Sequence, residues 1–264
     1  MRSSRFIRVA YERVYSYRGA CLVALTVEDG TIDWEYHSVR QEPLGEPDPD
    51  GDSMPFGTGS EAVPVADGRA FGVAGHLVHA VDAVTGMERW VGSLAEGLSG
   101  LDEDDSPGRL MTSDQFVVSI APTEPRTVEA FDAASGDHRW FRWADYRNKW
   151  GLDEEQLYWD YDLSTYGATG LDEGETRWEN AYERRADHGR TGVVTEETLY
   201  LSTIADWNDP NRLVAIDKYT GEERWSSDEV TVSRIPFVIS GDDVVPDTIY
   251  HGGRAIRNEG LTDL

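Results

Sequence analysis

The frame Asp-x-x-[Thr/Ser]-Gly-x-x-x-Trp occurs three times in this chain: at Asp82, Thr85, Gly86 and Trp90; at Asp132, Ser135, Gly136 and Trp140; and at Asp217, Thr220, Gly221 and Trp225. Each copy follows a run such as Leu213-Val214-Ala215-Ile216, whose alternation sets one face apolar, as a half-buried strand requires. An Asp at the strand end accepts bonds from backbone N–H groups two or three residues on and nucleates a turn. Gly supplies the positive φ of a tight hairpin, and the Thr or Ser hydroxyl locks it. The Trp then falls on the next strand, where such a ring buries roughly 150–250 Å². One ring per repeat can plug the seam between neighbouring sheets. The same hairpin occurs singly in unrelated β-proteins; three full copies in one chain argue for a repeat.

Two degraded copies extend the series. Gly30 and Trp34 keep the spacing, with Thr26 in the place of the leading Asp, and Gly174 and Trp178 keep only the Gly and the Trp. The five tryptophans are separated by 56, 50, 38 and 47 residues. Strand-rich units with a period of about 40–50 residues point to propeller blades rather than helical solenoids. The expected fold is therefore all-β, a propeller of four-stranded blades. Five to six blades are recognisable, and a closed ring and an incomplete one are both open readings.

These hairpins resemble the pyrroloquinoline-quinone-type (PQQ-like) β-propeller repeat family, whose blades end in Ala-Leu-Asp-Ala-x-Thr-Gly-x-x-x-Trp. The resemblance covers about residues 15–250, strongly at three hairpins. It implies radial blades around a channel, with the tryptophans docking adjacent blades. The family divides into quinoprotein dehydrogenases and non-enzymatic scaffolds, such as the propeller subunit of the bacterial outer-membrane assembly machinery. The dehydrogenases are much longer, carry a vicinal cysteine pair against the quinone, and hold calcium with Glu, Asn and Asp. This chain has 264 residues and one cysteine, Cys21. The resemblance therefore implies no bound cofactor and no enzyme activity.

Charge sets the surroundings. The chain carries 50 Asp and Glu against 24 Lys and Arg, for a net charge of −26, and only Lys149 and Lys218 are lysines. With 39% hydrophobic and 11% aromatic residues, disorder is a poor reading. A folded protein from a salt-saturated, haloarchaeal milieu fits better. At about 1 M salt the Debye length is roughly 3 Å, so a dense carboxylate surface no longer repels itself apart. Nucleic-acid binding is not expected, because no basic patch is visible. No apolar run reaches the length of a membrane span. The N-terminal residues lack an apolar signal core, so the expectation is a cytoplasmic protein as written, or an extracellular one if the N-terminus is truncated. A monomer is expected.

The whole chain, residues 1–264, reads as one propeller domain with an irregular insertion near 143–178. That stretch holds Trp143, Tyr146, Trp150, Tyr158, Trp159, Tyr161 and Tyr166, and Glu154-Glu155-Gln156-Leu157-Tyr158 reads as one or two helical turns. Residues 41–62 and 95–108 read as acidic loops. Asp48-Pro49-Asp50-Gly51-Asp52-Ser53 resembles the start of a calcium loop but has Ser53 and Gly59 where an EF-hand needs Gly and Glu. Gly57-Thr58-Gly59 lacks the leading strand of a dinucleotide fingerprint. The six histidines show no metal-ligand spacing and read as surface or blade-edge residues, and Cys21 reads as a small core residue. The aromatic stretch can pack between blades or stack a planar ligand. These residues give an expected function of non-catalytic scaffold with an unidentified protein partner. The alternatives are a quinone-dependent dehydrogenase and a small-ligand or glycan binder.

Overall fold

The computed structural model describes residues 8–18, 21–38, 63–74, 76–94, 109–120, 127–143, 148–160, 165–182, 185–186, 193–204, 212–227, 237–240, 243–246 and 256–257, and every regular element among them is a β-strand. The chain divides into two compact units, Met1–Ala144 and Asp145–Leu264. The calcium-like run, Gly57-Thr58-Gly59 and the loops 41–62 and 95–108 lie outside the described residues.

The first unit holds three antiparallel four-stranded blades. Blade 1 is β1 (Arg8–Ala10), β2 (Arg13–Arg18), β3 (Cys21–Thr26) and β4 (Ile32–His37) in sequential order. Blade 2 is β5 (Val65–Ala66), β6 (Arg69–Ala74), β7 (Leu77–Asp82) and β8 (Glu88–Ser93). Blade 3 is β9 (Arg109–Thr112), β10 (Phe116–Ile120), β11 (Thr127–Asp132) and β12 (His138–Trp143).

The second unit begins with β13 (Asn148–Leu152), β14 (Gln156–Asp160), β15 (Thr165–Gly170) and β16 (Thr176–Ala181), a regular blade 4. Blade 5 contains β17 (Arg185–Ala186), β18 (Val193–Val194), β19 (Thr198–Ile204), β20 (Arg212–Asp217) and β21 (Glu223–Ser227), with β17 and β18 both pairing with β19. β22 (Phe237–Ser240), β23 (Asp243–Pro246) and β24 (Ile256–Arg257) form a three-stranded sheet.

The helical turns expected at 154–158 are absent. Asp153 Oδ1 accepts the Glu155 and Gln156 amides at 2.9 and 2.8 Å, the local bonding of a helix cap. Here it closes the turn between β13 and β14, and residues 156–160 run on as strand. Where an insertion was expected near 143–178, four strands therefore follow in blade order.

One cross-strand row recurs in all five blades. The repeat tryptophan on the last strand faces an alanine on the strand before it: Ala24–Trp34, Ala80–Trp90, Ala130–Trp140, Ala168–Trp178 and Ala215–Trp225. A register shift follows each alanine. On its other side the alanine faces Tyr15, Phe71, Val118, Tyr158 or Tyr200. Four of these are aromatic, and their rings close over the alanine to 5.9–6.5 Å from the tryptophan ring. A methyl group fits under such a roof and little else does.

The core lies between successive blades. Leu22 and Trp34 of blade 1 pack with Val65, Ala70 and Val81 of blade 2. Phe71, Val78 and Trp90 pack with Val117 and Phe131 of blade 3. Tyr158 and Trp178 pack with Leu199, Val214 and Ile216.

Candidate interaction surface

The hairpins carry the most regular polar chemistry in the molecule. Asp82 Oδ1 accepts the Val84 and Thr85 amides at 3.0 and 2.7 Å and the Thr85 hydroxyl at 3.0 Å. Its second oxygen takes Arg89 Nη2 at 2.5 Å. Asp132 repeats the set with Ala134, Ser135 and Arg139, and Asp217 with Tyr219, Thr220 and Arg224. The arginine bond, followed by the amide and hydroxyl bonds, holds the Asp82 carboxyl at about 2, and that of Asp132 likewise. Gly30, Gly86, Gly136, Gly174 and Gly221 all have φ between 69° and 77°.

The arginine before the tryptophan is a repeat residue that the Asp-to-Trp frame did not include. Arg89, Arg139 and Arg224 clamp the leading Asp of their hairpins. In blade 4 the leading position is Gly170, and Arg177 pairs with Asp172 at 2.8 Å instead. In blade 1 the charges are exchanged: Asp33 stands before Trp34 and is bonded by Arg13 at 2.7 Å. Asp29 there replaces the missing leading Asp, accepting the Thr31 amide at 3.0 Å.

Within each unit a docking tryptophan reaches the turn of the following blade. Trp34 Nε1 donates to the Ala83 carbonyl at 3.1 Å, Trp90 to Ala133 at 3.0 Å and Trp178 to Lys218 at 2.7 Å. The buried Tyr15 hydroxyl adds a second bond to Ala83 at 2.9 Å.

The turns at one end of blades 1 and 2 are bonded into a continuous surface. The Val27 amide, in the β3–β4 turn, donates to Glu12 at 3.3 Å in the β1–β2 turn. The Tyr11 hydroxyl accepts the Gly68 amide at 2.7 Å, and the Gly68 carbonyl accepts the Ala83 amide at 2.8 Å. Tyr11, Glu12 and Asp67 are the non-glycine residues with positive φ among those described, at 48°, 58° and 41°. A left-handed tyrosine is an uncommon backbone state, and all three lie in this relay.

Three side-chain clusters bear on catalysis, and each has a structural account. Lys218 is 7% exposed and pairs with Asp153 at 2.9 Å, while the Tyr158 hydroxyl donates to the same carboxylate oxygen at 2.8 Å. Burial alone would raise the Asp153 carboxyl; Lys218, the two amides and Tyr158 together hold it below the usual range. His79, expected at the surface, is 3% exposed on β7. His76, three residues earlier, is exposed in the turn that precedes β7. His79 Nδ1 lies 3.0 Å from the Tyr36 hydroxyl, which donates to Glu88 at 2.5 Å. Burial pushes the imidazole down to about 4.

Cys21 is half-buried at the start of β3 rather than a core residue, because its cross-strand partner is His37 at the exposed end of β4. Its Sγ lies 3.1 Å from His37 Nδ1, and burial followed by the Glu35 charge raises the thiol. Of the aromatic stretch, Tyr158, Trp159 and Tyr166 are buried, Tyr166 stacks on Tyr182, and Trp143 is exposed. Tyr146 and Tyr161 lie outside the described residues.

A family profile described as outer membrane protein assembly factor BamB matches residues 22–148 and 165–256. The chain belongs to this PQQ-repeat family. No curated protein sequence matches. Among solved structures, BamB from Moraxella catarrhalis superposes with a TM-score of 0.57 at 16% identity, covering 97% of this chain and 87% of that one. The computationally designed Ika8 protein gives 0.62 at 12% identity, covering 96% and 67%. A europium-containing methanol dehydrogenase gives 0.51 at 14% identity, covering 97% and 55%. These likenesses establish the β-propeller fold of the BamB-type chain.

The chain's one cysteine faces His37, so a vicinal pair cannot form. Among the described residues no three His, Cys, Asp or Glu side chains converge to hold a metal ion.

Proposed function

We propose that this chain is a non-catalytic propeller scaffold that binds another protein through its exposed hairpin turns. The observation that carries the reading is where the charged groups are used. Asp82, Asp132 and Asp217 are spent on closing turns, Lys218 and Asp153 on each other, and His79 on Tyr36. A reaction needs polar groups converging on a substrate position, whereas these converge on backbone and on one another. Membership of the BamB-type family supports the same reading, although fold alone does not supply function. The acidic composition adds a halophilic setting, and the proposed state is a monomer in the cytoplasm.

Capture of partners on the immobilised chain in molar KCl tests it, beside titration with pyrroloquinoline quinone and calcium. A stoichiometric protein partner and no quinone retention are expected. Quinone binding with dye-linked alcohol oxidation would overturn the proposal. A bound sugar or aromatic metabolite, with no protein captured, would favour ligand binding instead.

A further inference from the structure

The joined turns of blades 1 and 2 carry four exposed apolar side chains, Tyr11, Val27, Val84 and Met87. Between the leading position and the glycine, blade 2 presents Val84, where blades 1 and 4 carry Glu28 and Asp172, blade 3 carries Ala134 and blade 5 the exposed Tyr219. After the glycine it presents Met87, where blades 3, 4 and 5 carry Asp137, Glu175 and Glu222. Met87 is 69% exposed and Val84 45%, and the relay joins them to Val27 at 55% and Tyr11 at 45%. In a chain of net charge −26, the blade frame tolerates acid at these positions, so an apolar choice is not forced by folding. Exposed apolar side chains gathered on joined turns and rimmed by polar ones mark a candidate interaction surface. The rim carries exposed Glu12, Glu28 and Glu88, while the nearby Arg13, Arg69 and Arg89 are paired with Asp33, Asp67 and Asp82.

We propose that this turn end of blades 1 and 2 docks a protein segment whose apolar side chains are flanked by arginine or lysine. The inference rests on the scaffold reading and gives it a surface and a partner chemistry. Apolar contact supplies affinity that salt does not weaken, while the carboxylate rim, screened beyond roughly 3 Å in molar salt, selects a cationic segment only through direct contact pairs. A second copy of this chain would bring the same negative charge to the surface and is the wrong occupant.

The test measures binding of a short fluorescent peptide of alternating leucine and arginine to the full chain. Two control peptides replace either every leucine by serine or every arginine by glutamate. The variant is Val84→Asp with Met87→Glu, which installs acids that other blades carry at those positions. The leucine–arginine peptide is expected to bind, with both controls about tenfold weaker and the variant about tenfold weaker for the same peptide. The variant's melting temperature is expected to stay within a degree or so of the parent.

Equal binding of the serine–arginine peptide, or no loss in the variant, would overturn the surface assignment. So would a drop of many degrees in the variant's melting temperature, which would mean that the chain covers these residues itself, or a dimer that the variant dissolves. A captured natural partner that binds parent and variant equally would sink this surface alone. Quinone-dependent oxidation without any protein partner would sink the scaffold reading beneath it.

Discussion

Trp34 lies so close over Gly86 that a Cβ built on that glycine would stand 2.7 Å from the indole Cδ2. The same closeness joins Trp90 to Gly136 at 2.5 Å and Trp178 to Gly221 at 2.3 Å. Each glycine thus has two separable duties: it takes a positive φ, and it leaves room for the neighbouring blade's tryptophan. Gly30 has the first duty alone, with φ 70° and nothing within 4 Å of a built Cβ. Gly30→Ala is expected to cost about 1–2 kcal/mol for the backbone alone. Gly86→Ala adds overpacking against the ring, for a total of about 2–5 kcal/mol. Chemical denaturation of the two variants measures the difference, and equal losses would refute the seat.

The alanine under the aromatic roof predicts a graded response. Ala80→Leu, between Phe71 and Trp90, is expected to destabilise by about 1–3 kcal/mol. Ala130→Leu faces Val118 instead of an aromatic ring and is expected to lose less. Thermal melts of both variants check the order.

Asp82 and Asp132 sit at about 2 in the fold against an ordinary 3.8. Between those values the unfolded chain binds more protons, so their contribution is present above about pH 4 and fades toward pH 2. The stability gap between the parent and Asp82→Asn should therefore be full at neutral pH and close by about pH 2. A gap that is constant with pH would remove the carboxylate from the account.

His79 works in a different window. Its folded value of about 4 lies below the ordinary 6.5, so the unfolded chain takes up the proton first as pH falls. The stability it confers is complete above about pH 6.5 and is lost progressively toward pH 4, by about 3 kcal/mol at most. In His79→Gln that portion of the pH profile should flatten, which urea titrations at several pH values would reveal.

Self-repulsion from 26 excess negative charges should keep the fold marginal near 0.1 M salt and firm in molar KCl. Circular dichroism melts across a KCl series test this. A melting temperature indifferent to salt would end the halophilic interpretation.

Hairpins with the full Asp-to-Trp frame were legible because turn chemistry and alternation agree there. Blade 4 was obscured because Gly170 replaces the leading Asp and because Asp153 makes the bonds of a helix cap while closing a turn. The start of β2 carries no local signal for a related reason: Tyr11 and Glu12 turn the chain with positive φ, and neither residue type signals a tight turn. The repeat arginines at 89, 139, 177 and 224 were visible in the sequence but acquire meaning only once Arg89 Nη2 is seen on Asp82. The candidate surface was the least legible part. Its continuity depends on bonds such as Gly68 to Tyr11, which join residues far apart in the chain and leave no local pattern.

Trp34 belongs to one repeat, while the Ala83 carbonyl and Gly86 that receive it belong to the next. The contact is therefore a plug and socket of fixed polarity, and blade 2 carries both, with Trp90 as its plug and the Ala83–Gly86 turn as its socket. An in-frame gene duplication that adds such a repeat inserts a unit whose plug and socket already match its neighbours. Blade number can then change by whole units, with no new interface to be invented at the junction.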